Sequence, residues 1–436
     1  MSLQTALDDH LAGRLEQAAR VYEAALAEDP SQPVALHYLG IYLHQVGRHE
    51  EGVEKLRLAS QLIPDDAHWH NDFGNVLFAL ERFDEAALAY AAAAALQPAD
   101  HAIWTSLGAA HAEAGRPAEA LSALEHAVAL APGYIPAMQQ LARLHTAAGD
   151  NLAASRWQCR VFVLPPLEGK SPEMLGKAFY ILERYAEAAQ AYRQWLQQSP
   201  GNPIAQHLLA ACAQHGIPVR AADRYVEAHF DAFAEMFDTN LVESLSYRGP
   251  QLIGEGLALV AVPNRQFEAV DLGCGTGLCG PVLAPFCHRI VGLDLSSKML
   301  EKAAARGQYA ELHRTEIGAW LARHPACCDL VVAADTLIYV GALEALMGQV
   351  SRALRDGGHF IFTIERALPD DAVAEGFGLH ASGRYRHRQE DVENLLKSNG
   401  LLPLHCSPHP LRTEIGEPVA GLLLVARKEM PTDTDD

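Results

Sequence analysis

The sequence predicts a multidomain protein in which an all-α array of repeats is followed by an α/β domain with a parallel sheet. Prolines recur every 34 residues through the first half of the chain, at positions 30, 64, 98, 132, 166 and 200. After Pro218 this phase is lost, and helical patterns alternate with short apolar runs rich in Val and Ile. A glycine-rich turn, Gly273 to Gly277, directly follows the first of those runs.

Other markers keep the same 34-residue phase as the prolines. Glycine or alanine stands at positions 40, 74, 108, 142, 176 and 210, and again at 18, 52, 86, 120, 154 and 188. Each unit therefore predicts two amphipathic helices that approach closely at the small residues, and the proline ends the second helix. This pattern resembles the tetratricopeptide repeat (TPR) and predicts a solenoid over residues 1–217. Glu81 and Glu183 replace a turn glycine, which predicts two less sharp turns.

A single repeat cannot bury its own apolar face, so the units should stack and form a concave surface. Such a surface is expected to hold a polypeptide. Asn71 and Asn75 lie one helical turn apart on the predicted groove, where paired amides can bind an extended backbone. The alternative is an ordinary solvated groove.

The second half divides into a helical linker or lid at 218–266, an α/β domain at 267–428 and an acidic disordered tail at 429–436. The candidate strands are 269–272, 290–294, 330–333, 359–364, 403–406 and 421–425. The helices between them should cover both faces of the sheet.

The turn after the first strand has the sequence DLGCGTG, and the second strand ends in Asp294, 17 residues after Gly277. A carboxylate at that position can accept both hydroxyls of a ribose. Leu278 stands where a dinucleotide fingerprint needs its third glycine, and no Gly-Lys-Ser/Thr follows, so the pattern argues against a pyrophosphate site and a P-loop.

Together, DLGCGTG and GLDLSSKML resemble the first motif and the following acidic motif of class I S-adenosylmethionine (SAM) dependent methyltransferases, over about residues 222–428. The resemblance implies a Rossmann-like fold and SAM as the cofactor. Asp271 would then orient the methionine amino group, Asp294 would hold the ribose, and Leu295 with Met299 would flank the adenine. The full set of cofactor contacts it implies is Asp271, Gly273, Cys274, Gly275, Thr276, Gly277, Asp294, Leu295, Met299, Thr315, Glu316 and Asp335.

The strand that ends near Asp335 and Tyr339 should present the methyl group, and both side chains are candidate acceptor contacts. This segment lacks the Asn/Asp-Pro-Pro-aromatic motif of amide and nucleobase N-methyltransferases, which argues against those acceptors. Phe230, Phe233 and Phe237 share a helix face ahead of the first strand, and by resemblance the segment is a lid over SAM, with Phe233 and Phe237 as candidate acceptor contacts. Their alternative role is in the core.

A basic segment after the candidate strand 359–364 supplies further candidates. Arg384 and Arg386 could hold an anionic part of the acceptor, and His387 or His380 could accept its proton. The alternative is a solvated loop whose arginines pair with the acidic residues that follow it.

Composition limits the function. The chain has 436 residues with 34 Lys plus Arg against 54 Asp plus Glu, a net charge of −20 that argues against general nucleic-acid binding. Nothing near Met1 predicts export, and no run is long enough to span a bilayer, so a cytoplasmic protein is expected. The eight cysteines form no CxxC pair, and no metal site is expected.

These observations favour a SAM-dependent methyltransferase that acts on an O or N nucleophile, with the solenoid recruiting a protein partner or substrate. The acceptor could be a protein or a small metabolite. The rival function is a TPR adaptor whose methyltransferase fold binds SAM without catalysis, and aminopropyl transfer on the same fold is a third possibility.

Overall fold

The structure, a computed structural model, describes residues 2–236, 246–369, 371–374 and 376–430. By its internal contacts the chain forms two compact units, Met1–Leu167 and Glu168–Asp436. Within the described ranges, no helix combines the length and apolarity needed to cross a membrane. Most of the tail expected at 429–436 lies outside the described residues.

The first unit is built from helices joined in pairs by short turns. They are α1 (Leu3–Leu11), α2 (Leu15–Glu28), α3 (Pro33–Gln45), α4 (His49–Leu62), α5 (Ala67–Ala79), α6 (Phe83–Leu96), α7 (His101–Glu113), α8 (Pro117–Leu130), α9 (Ile135–Ala147) and α10 (Asn151–Phe162). Each helix packs on the next, α1, α3 and α5 pack in succession, and α7 packs on α9. The first helices of successive repeats therefore form one layer, as the repeat period predicts.

The phased small residues are the points where paired helices approach most closely. A Cβ atom on Gly40 would lie 2.7 Å from Cγ of Leu56 and 3.0 Å from the carbonyl oxygen of Gly52. On Gly108 it would lie 2.5 Å from Cγ of Leu124. Larger side chains at these positions would push the two helices of a repeat apart.

The turns at Glu81 and Glu183 are as tight as the glycine turns, so the prediction of less sharp turns is wrong. Their φ angles of 57° and 59° are left-handed, like the 84° of Gly47. The hydrogen bonds also match, because N–H of Arg82 donates to the carbonyl of Leu77 at 2.9 Å, as Arg48 does to Leu43 at 2.8 Å. The favourable free energy of helix packing outweighs the small conformational free energy needed to hold a glutamate in the left-handed region.

The second unit continues with α11 (Pro172–Ile181), α12 (Tyr185–Gln198), α13 (Pro203–Ala213), α14 (Asp223–Phe233), α15 (Gly249–Val260), α16 (Gly280–Leu283), α17 (Ser297–Arg306), α18 (Ile317–Leu321), α19 (Glu344–Ala353) and α20 (Gln389–Ser398). Its strands are β1 (Phe267–Leu272), β2 (Cys287–Asp294), β3 (Glu311–Arg314), β4 (Cys328–Ala333), β5 (Leu354–Arg366), β6 (Phe377–Leu379), β7 (Tyr385–His387), β8 (Leu401–Glu414) and β9 (Glu417–Lys428). Helices α11–α13, assigned from the sequence to the solenoid, thus lie in the same compact unit as the sheet.

The strands form one sheet in the order β3-β2-β1-β4-β5, and β9 and then β8 extend it with antiparallel pairing. The first five strands run parallel, so their carboxyl ends meet at one edge. The short strand β7 pairs with the end of β5 and forms a hairpin with β6. All six predicted strands are present, whereas β3 and the β6–β7 hairpin were not predicted.

Alternating residues of each central strand pack on opposite faces of the sheet. In β4, Leu330 and Val332 join a core with Leu252 and Leu257 of α15, while Val331 and Ala333 join a second core beneath α19. Helices therefore cover both faces, and only the edge formed by the carboxyl ends is left for a site.

Replacing Gly108 with Val should destabilise the first unit by about 1–3 kcal/mol, because the new side chain would collide with Leu124. The matched control is Gly133→Ala, since a Cβ there has nothing within 4 Å. Urea unfolding of the full chain measures both. Equal stability of the two variants would contradict the close-approach role of the small residues.

Candidate functional site

A cavity of about 430 Å³ lies at the carboxyl ends of β1, β2 and β4. The residues expected from the sequence that line it are Asp271, Gly273, Cys274, Gly275, Thr276, Asp294, Leu295, Thr315, Glu316, Asp335, Tyr339 and Arg384. The structure thus brings together side chains from five segments that are far apart in the sequence.

The glycine turn forms the floor of the cavity. Its backbone conformation and its close packing would not accommodate larger residues. Gly273 has φ of 65°, and a Cβ on it would lie 2.5 Å from the side chain of Thr336. The Thr336 hydroxyl in turn donates to the carbonyl of Leu272 at 2.8 Å. Gly277 has φ of 85° and packs on Tyr309, but it does not itself line the cavity. The turn is therefore fixed by packing from the β4 side and from Tyr309.

Asp294 joins the end of β2 to the glycine turn. Its Oδ2 accepts the N–H of Gly275 at 2.9 Å, and its Oδ1 accepts the N–H of Ser296 at 2.8 Å. Burial raises the pKa of Asp294, while these N–H donors act in the opposite direction. Each carboxylate oxygen keeps a further lone pair for a ligand hydroxyl.

Asp271 is a buried carboxyl at the end of β1, only 1% exposed. The Tyr309 hydroxyl donates to its Oδ2 at 2.7 Å. Burial raises the pKa of Asp271 to about 7, against the pull of the Tyr309 hydrogen bond. Near neutral pH this carboxyl therefore carries a proton part of the time, and a cation bound next to it would favour the charged form.

The opposite side of the cavity is formed by Leu295, Thr315, Glu316 and Ile317. The Glu316 carboxylate caps α18, accepting the N–H groups of Gly318 at 3.0 Å and Ala319 at 2.6 Å. Met299 is fully buried and does not line the cavity.

A buried ion network closes the end of the cavity next to β4. Arg412 Nη1 donates to both oxygens of Asp335, at 2.7 and 2.8 Å, and Arg412 also pairs with Glu365 and Glu414. Asp335 has a left-handed φ of 56°, an uncommon conformation for a residue with a side chain. Arg412 is 2% exposed, so its charge is compensated entirely within the protein.

The two candidate arginines separate in the structure. Arg384 lines the cavity and forms an ion pair with Glu414. Arg386 does not line it and instead pairs with Asp371 at 2.8 Å and Glu365 at 3.5 Å. Of these two candidates, only Arg384 is placed to contact a molecule in the cavity.

The two candidate histidines also lie away from the described cavity walls. His387 is 2% exposed, and its Nε2 lies 3.0 Å from the carbonyl oxygen of Gly341. His380 Nδ1 lies 3.0 Å from the Ser382 hydroxyl. Burial lowers the pKa of both imidazoles, which favours their neutral forms.

The lid region is described in part. Phe237 lies outside the described residues, and for Phe233 only the helical backbone is described. One turn earlier on α14, Phe230 lines the cavity and makes an edge contact with Tyr339 at a ring distance of 5.5 Å. His229 lines it too, and burial together with the Arg384 charge lowers its pKa to about 4.

The aromatic stripe of the lid helix pointed to Phe230, but no sequence pattern singled out Arg412 or His229. Arg412 and Asp335 are 77 residues apart, and only the fold brings them together. For His229, the signal was its place beside the aromatic stripe of the lid helix.

In the first unit, the two candidate groove amides differ in their surroundings. Asn75 is exposed, and its Oδ1 accepts a hydrogen bond from the Tyr90 hydroxyl at 2.9 Å. Asn71 is half-buried on the same helix. The N–H groups of the Asn75 amide take no part in that bond. They could therefore donate to a carbonyl of a bound polypeptide.

Comparison with protein families gives matches in both halves of the chain. A model described as a methyltransferase domain matches residues 270–362, and a model described as a tetratricopeptide repeat matches residues 12–67, 71–135 and 160–203. The chain combines TPR repeats with a methyltransferase domain. The methyltransferase match begins in β1 and ends in β5, so it includes the glycine turn, Asp294 and Asp335.

Similar proteins share only part of this domain. Trans-aconitate 2-methyltransferase of Paracidovorax citrulli is 38% identical over 103 residues, covering 23% of this chain and 40% of that protein. Ubiquinone biosynthesis O-methyltransferase of Cupriavidus pinatubonensis is 32% identical over 113 residues, covering 23% and 43%. This chain thus spans about two fifths of the length of these relatives. A solved SAM-dependent methyltransferase from Mesorhizobium loti is 24% identical with a TM-score of 0.32, covering 40% of this chain and 96% of that one.

Replacing Asp271 with Asn should stabilise the ligand-free protein at pH 8 by on the order of 2 kcal/mol. Between about pH 4 and pH 7, the native carboxyl, with a pKa of about 7, keeps a proton that the same group in the unfolded chain, with a pKa near 3.8, has released. Its contribution to stability is therefore lost as pH rises from about 4 to 7, and Asn cannot lose it.

Urea unfolding between pH 5 and pH 8 measures this difference between wild type and variant. Asp356→Asn is the control, because Asp356 is half exposed and pairs with Lys428 at 3.1 Å. A stability difference for Asp271→Asn that does not grow with pH would show that the carboxyl is already ionised in the native protein.

Proposed function

We propose that the chain transfers a methyl group from SAM to an O or N nucleophile of an acceptor bound in the cavity. The observation that carries this proposal is the hydrogen bond between Asp294 and Gly275, which fixes a carboxylate beside a close-packed glycine turn. That arrangement suits a ribonucleoside that has no phosphates, because the turn offers backbone and no basic side chain.

In this proposal the cofactor's charged groups meet compensating groups of the domain. Asp271 would hold the methionine ammonium, Asp294 the ribose hydroxyls, and Leu295 with Ile317 the adenine. Residues of the turn from Gly273 to Thr276 surround the methionine chain. Gly277 and Met299 would then affect cofactor binding only indirectly. Gly277 lies in the turn, and Met299 is buried on α17.

The acceptor would bind at the aromatic end of the cavity, where the residues that would hold SAM leave room for it. That end is lined by Phe230, Tyr247, Tyr339, His229 and Arg384. SAM would supply an electrophilic methyl group: the carbon–sulfur bond would break as the bond to oxygen or nitrogen forms, the sulfur would keep the electron pair as a neutral thioether, and a proton carried by the nucleophile would leave to solvent. The enzyme's main contribution is to align the two reactants. His229 lines this end, and its lowered pKa favours the neutral imidazole, whereas His380 and His387 could influence the nucleophile only through other residues.

The walls of this end favour a compact acceptor with a flat apolar part. The acidic groups Asp335, Glu365 and Glu414 already balance much of the charge of Arg384 and Arg412. An anionic acceptor group must therefore compete with Glu414 for Arg384. One relative is named for a small acceptor, trans-aconitate, which supports a small molecule in the same place here.

We further propose that the repeats hold a polypeptide, either a partner or a substrate. The support is the repeat family itself and the exposed amide of Asn75 one turn from Asn71. The amide donors can bind carbonyls of an extended chain.

Asp294→Ala should weaken SAM binding by about 1–3 kcal/mol, because the ribose loses a charged acceptor and the Gly275 N–H loses its partner. Calorimetry on the full chain measures this, with Asp356→Ala as control. Methyl-labelled SAM incubated with cell extract should then label an acceptor, separated into protein and small-molecule fractions. SAM binding without any transfer would contradict the proposed activity and favour the non-catalytic adaptor.

Changing Asn71 and Asn75 together to Ala should release a polypeptide captured from extract by the full chain while SAM affinity stays unchanged. The matched control is Gln61→Ala, exposed on α4, the second helix of its repeat. Mass spectrometry compares the captured partners. The same partners on the double variant and the wild type would rule out these amides as the binding site.

A further inference from the structure

The side chain of Arg384 reaches the acceptor end of the cavity from the hairpin formed by β6 and β7. On one side this hairpin is held by the sheet, where Arg386 pairs in register with Glu365 of β5. Its tip is closed by two backbone bonds of 2.8 Å, from N–H of His380 to the carbonyl of Arg384 and from N–H of Gly383 to the carbonyl of His380.

The other side of the hairpin packs on α13, the last helix before the methyltransferase domain. His207 Nε2 donates to the carbonyl of Gly383 at 2.7 Å, and Gln214 Nε2 donates to the carbonyl of Leu379 at 2.7 Å. Between them, the Cys212 thiol lies 3.8 Å from the carbonyl of Ala381. Alternate carbonyls of the hairpin therefore all receive donors from α13 and its C-terminal cap.

The same helix also touches the opposite wall of the acceptor end. The imidazole of His207 stacks on the ring of Tyr225 with a centroid distance of 3.9 Å. Tyr225 lies on α14, whose next turn carries His229 and Phe230 into the cavity. A Cβ on Gly383 would lie 3.1 Å from the Tyr225 hydroxyl, so hairpin, α13 and α14 are in close contact.

Helix α13 lies at the end of the repeat array in sequence. The repeat match stops at residue 203, where α13 begins, and the methyltransferase match starts at residue 270. Neither family model gives this helix a role. Its donors nevertheless satisfy backbone groups of the segment that presents Arg384, and buried carbonyls of that kind need partners.

We infer that α13 is a positioning element of the acceptor pocket, and that His207 and Gln214 hold the hairpin that presents Arg384 to the acceptor. The inference rests on the proposed methyl transfer for the identity of the pocket. It makes the last repeat helix a structural part of the enzyme's acceptor site as well as the end of the recruiting array. His207 and Gln214 act through the hairpin and need not touch the acceptor.

Hydrogen exchange on the full chain tests the positioning without any acceptor. His207→Phe keeps a ring against Tyr225 but removes the donor, and His207→Gln keeps an N–H donor but removes the ring. The phenylalanine variant should lose about tenfold in protection at the amides of His380 and Gly383, since a buried carbonyl loses its partner. The glutamine variant should lose less, and His215→Ala, exposed just beyond Gln214, should lose none. Unchanged exchange at the hairpin in His207→Phe would overturn the inference.

A second measurement separates positioning from a general loss of structure. Initial rates are taken with labelled SAM and serial dilutions of one cell extract. His207→Phe should need severalfold more extract for half-maximal rate, while its plateau rate and SAM affinity stay near those of wild type. A fall in SAM affinity or in plateau rate alone would contradict the positioning role. If the wild-type chain transfers no label, the proposed function fails, and the exchange experiment still decides whether α13 holds the hairpin.

Discussion

The site depends on one interaction, the acceptance of the Gly275 N–H by the Asp294 carboxylate. It joins the turn after β1 to the end of β2, and these are neighbouring parallel strands whose carboxyl ends meet at the same edge. A buried carboxylate is costly unless several donors satisfy it. The donors here are backbone N–H groups of the site itself, so the charge that would bind the ribose also fixes the shape of the turn. Asp271, Thr336 and Tyr309 then pack around a turn that is already defined.

The acceptor end obeys a related constraint, because its charges are buried in sets that balance one another. Arg412 compensates Asp335, Glu365 and Glu414, and it holds Asp335 in a left-handed conformation at the end of β4. Satisfied networks of this kind fix one arrangement, because a half-satisfied one would be costly. The pocket is therefore rigid on the β4 side, while its other walls come from α14 and from the hairpin that packs on α13.

How much could be predicted depended on whether the signal was local in the sequence. The repeats have a fixed period, and the turn after β1 has glycines that a close approach explains, so the repeat helices and this close-packed turn could be predicted from local patterns. The Arg412–Asp335 pair and the contact of His207 with Gly383 join residues 77 and 176 positions apart, and nothing local marks them. Arg384 and Arg386 looked equivalent because they are two residues apart, yet Arg384 lies in the hairpin turn and pairs with Glu414, whereas Arg386 lies within β7 and pairs with Asp371 and Glu365. Glu81 shows the reverse effect, since tertiary packing imposes a conformation that its sequence preference disfavours.

The central claim is that Asp294 and the glycine turn form the cofactor site, and a crystal structure of the full chain with S-adenosylhomocysteine tests it most directly. The account predicts ribose hydroxyls at about 3 Å from the Asp294 oxygens, with the Gly275 N–H still donated to that carboxylate and the amino group beside Asp271. The homocysteine sulfur should face Phe230 and Tyr339. A ligand bound elsewhere, or one whose ribose makes no contact with Asp294, would contradict the account.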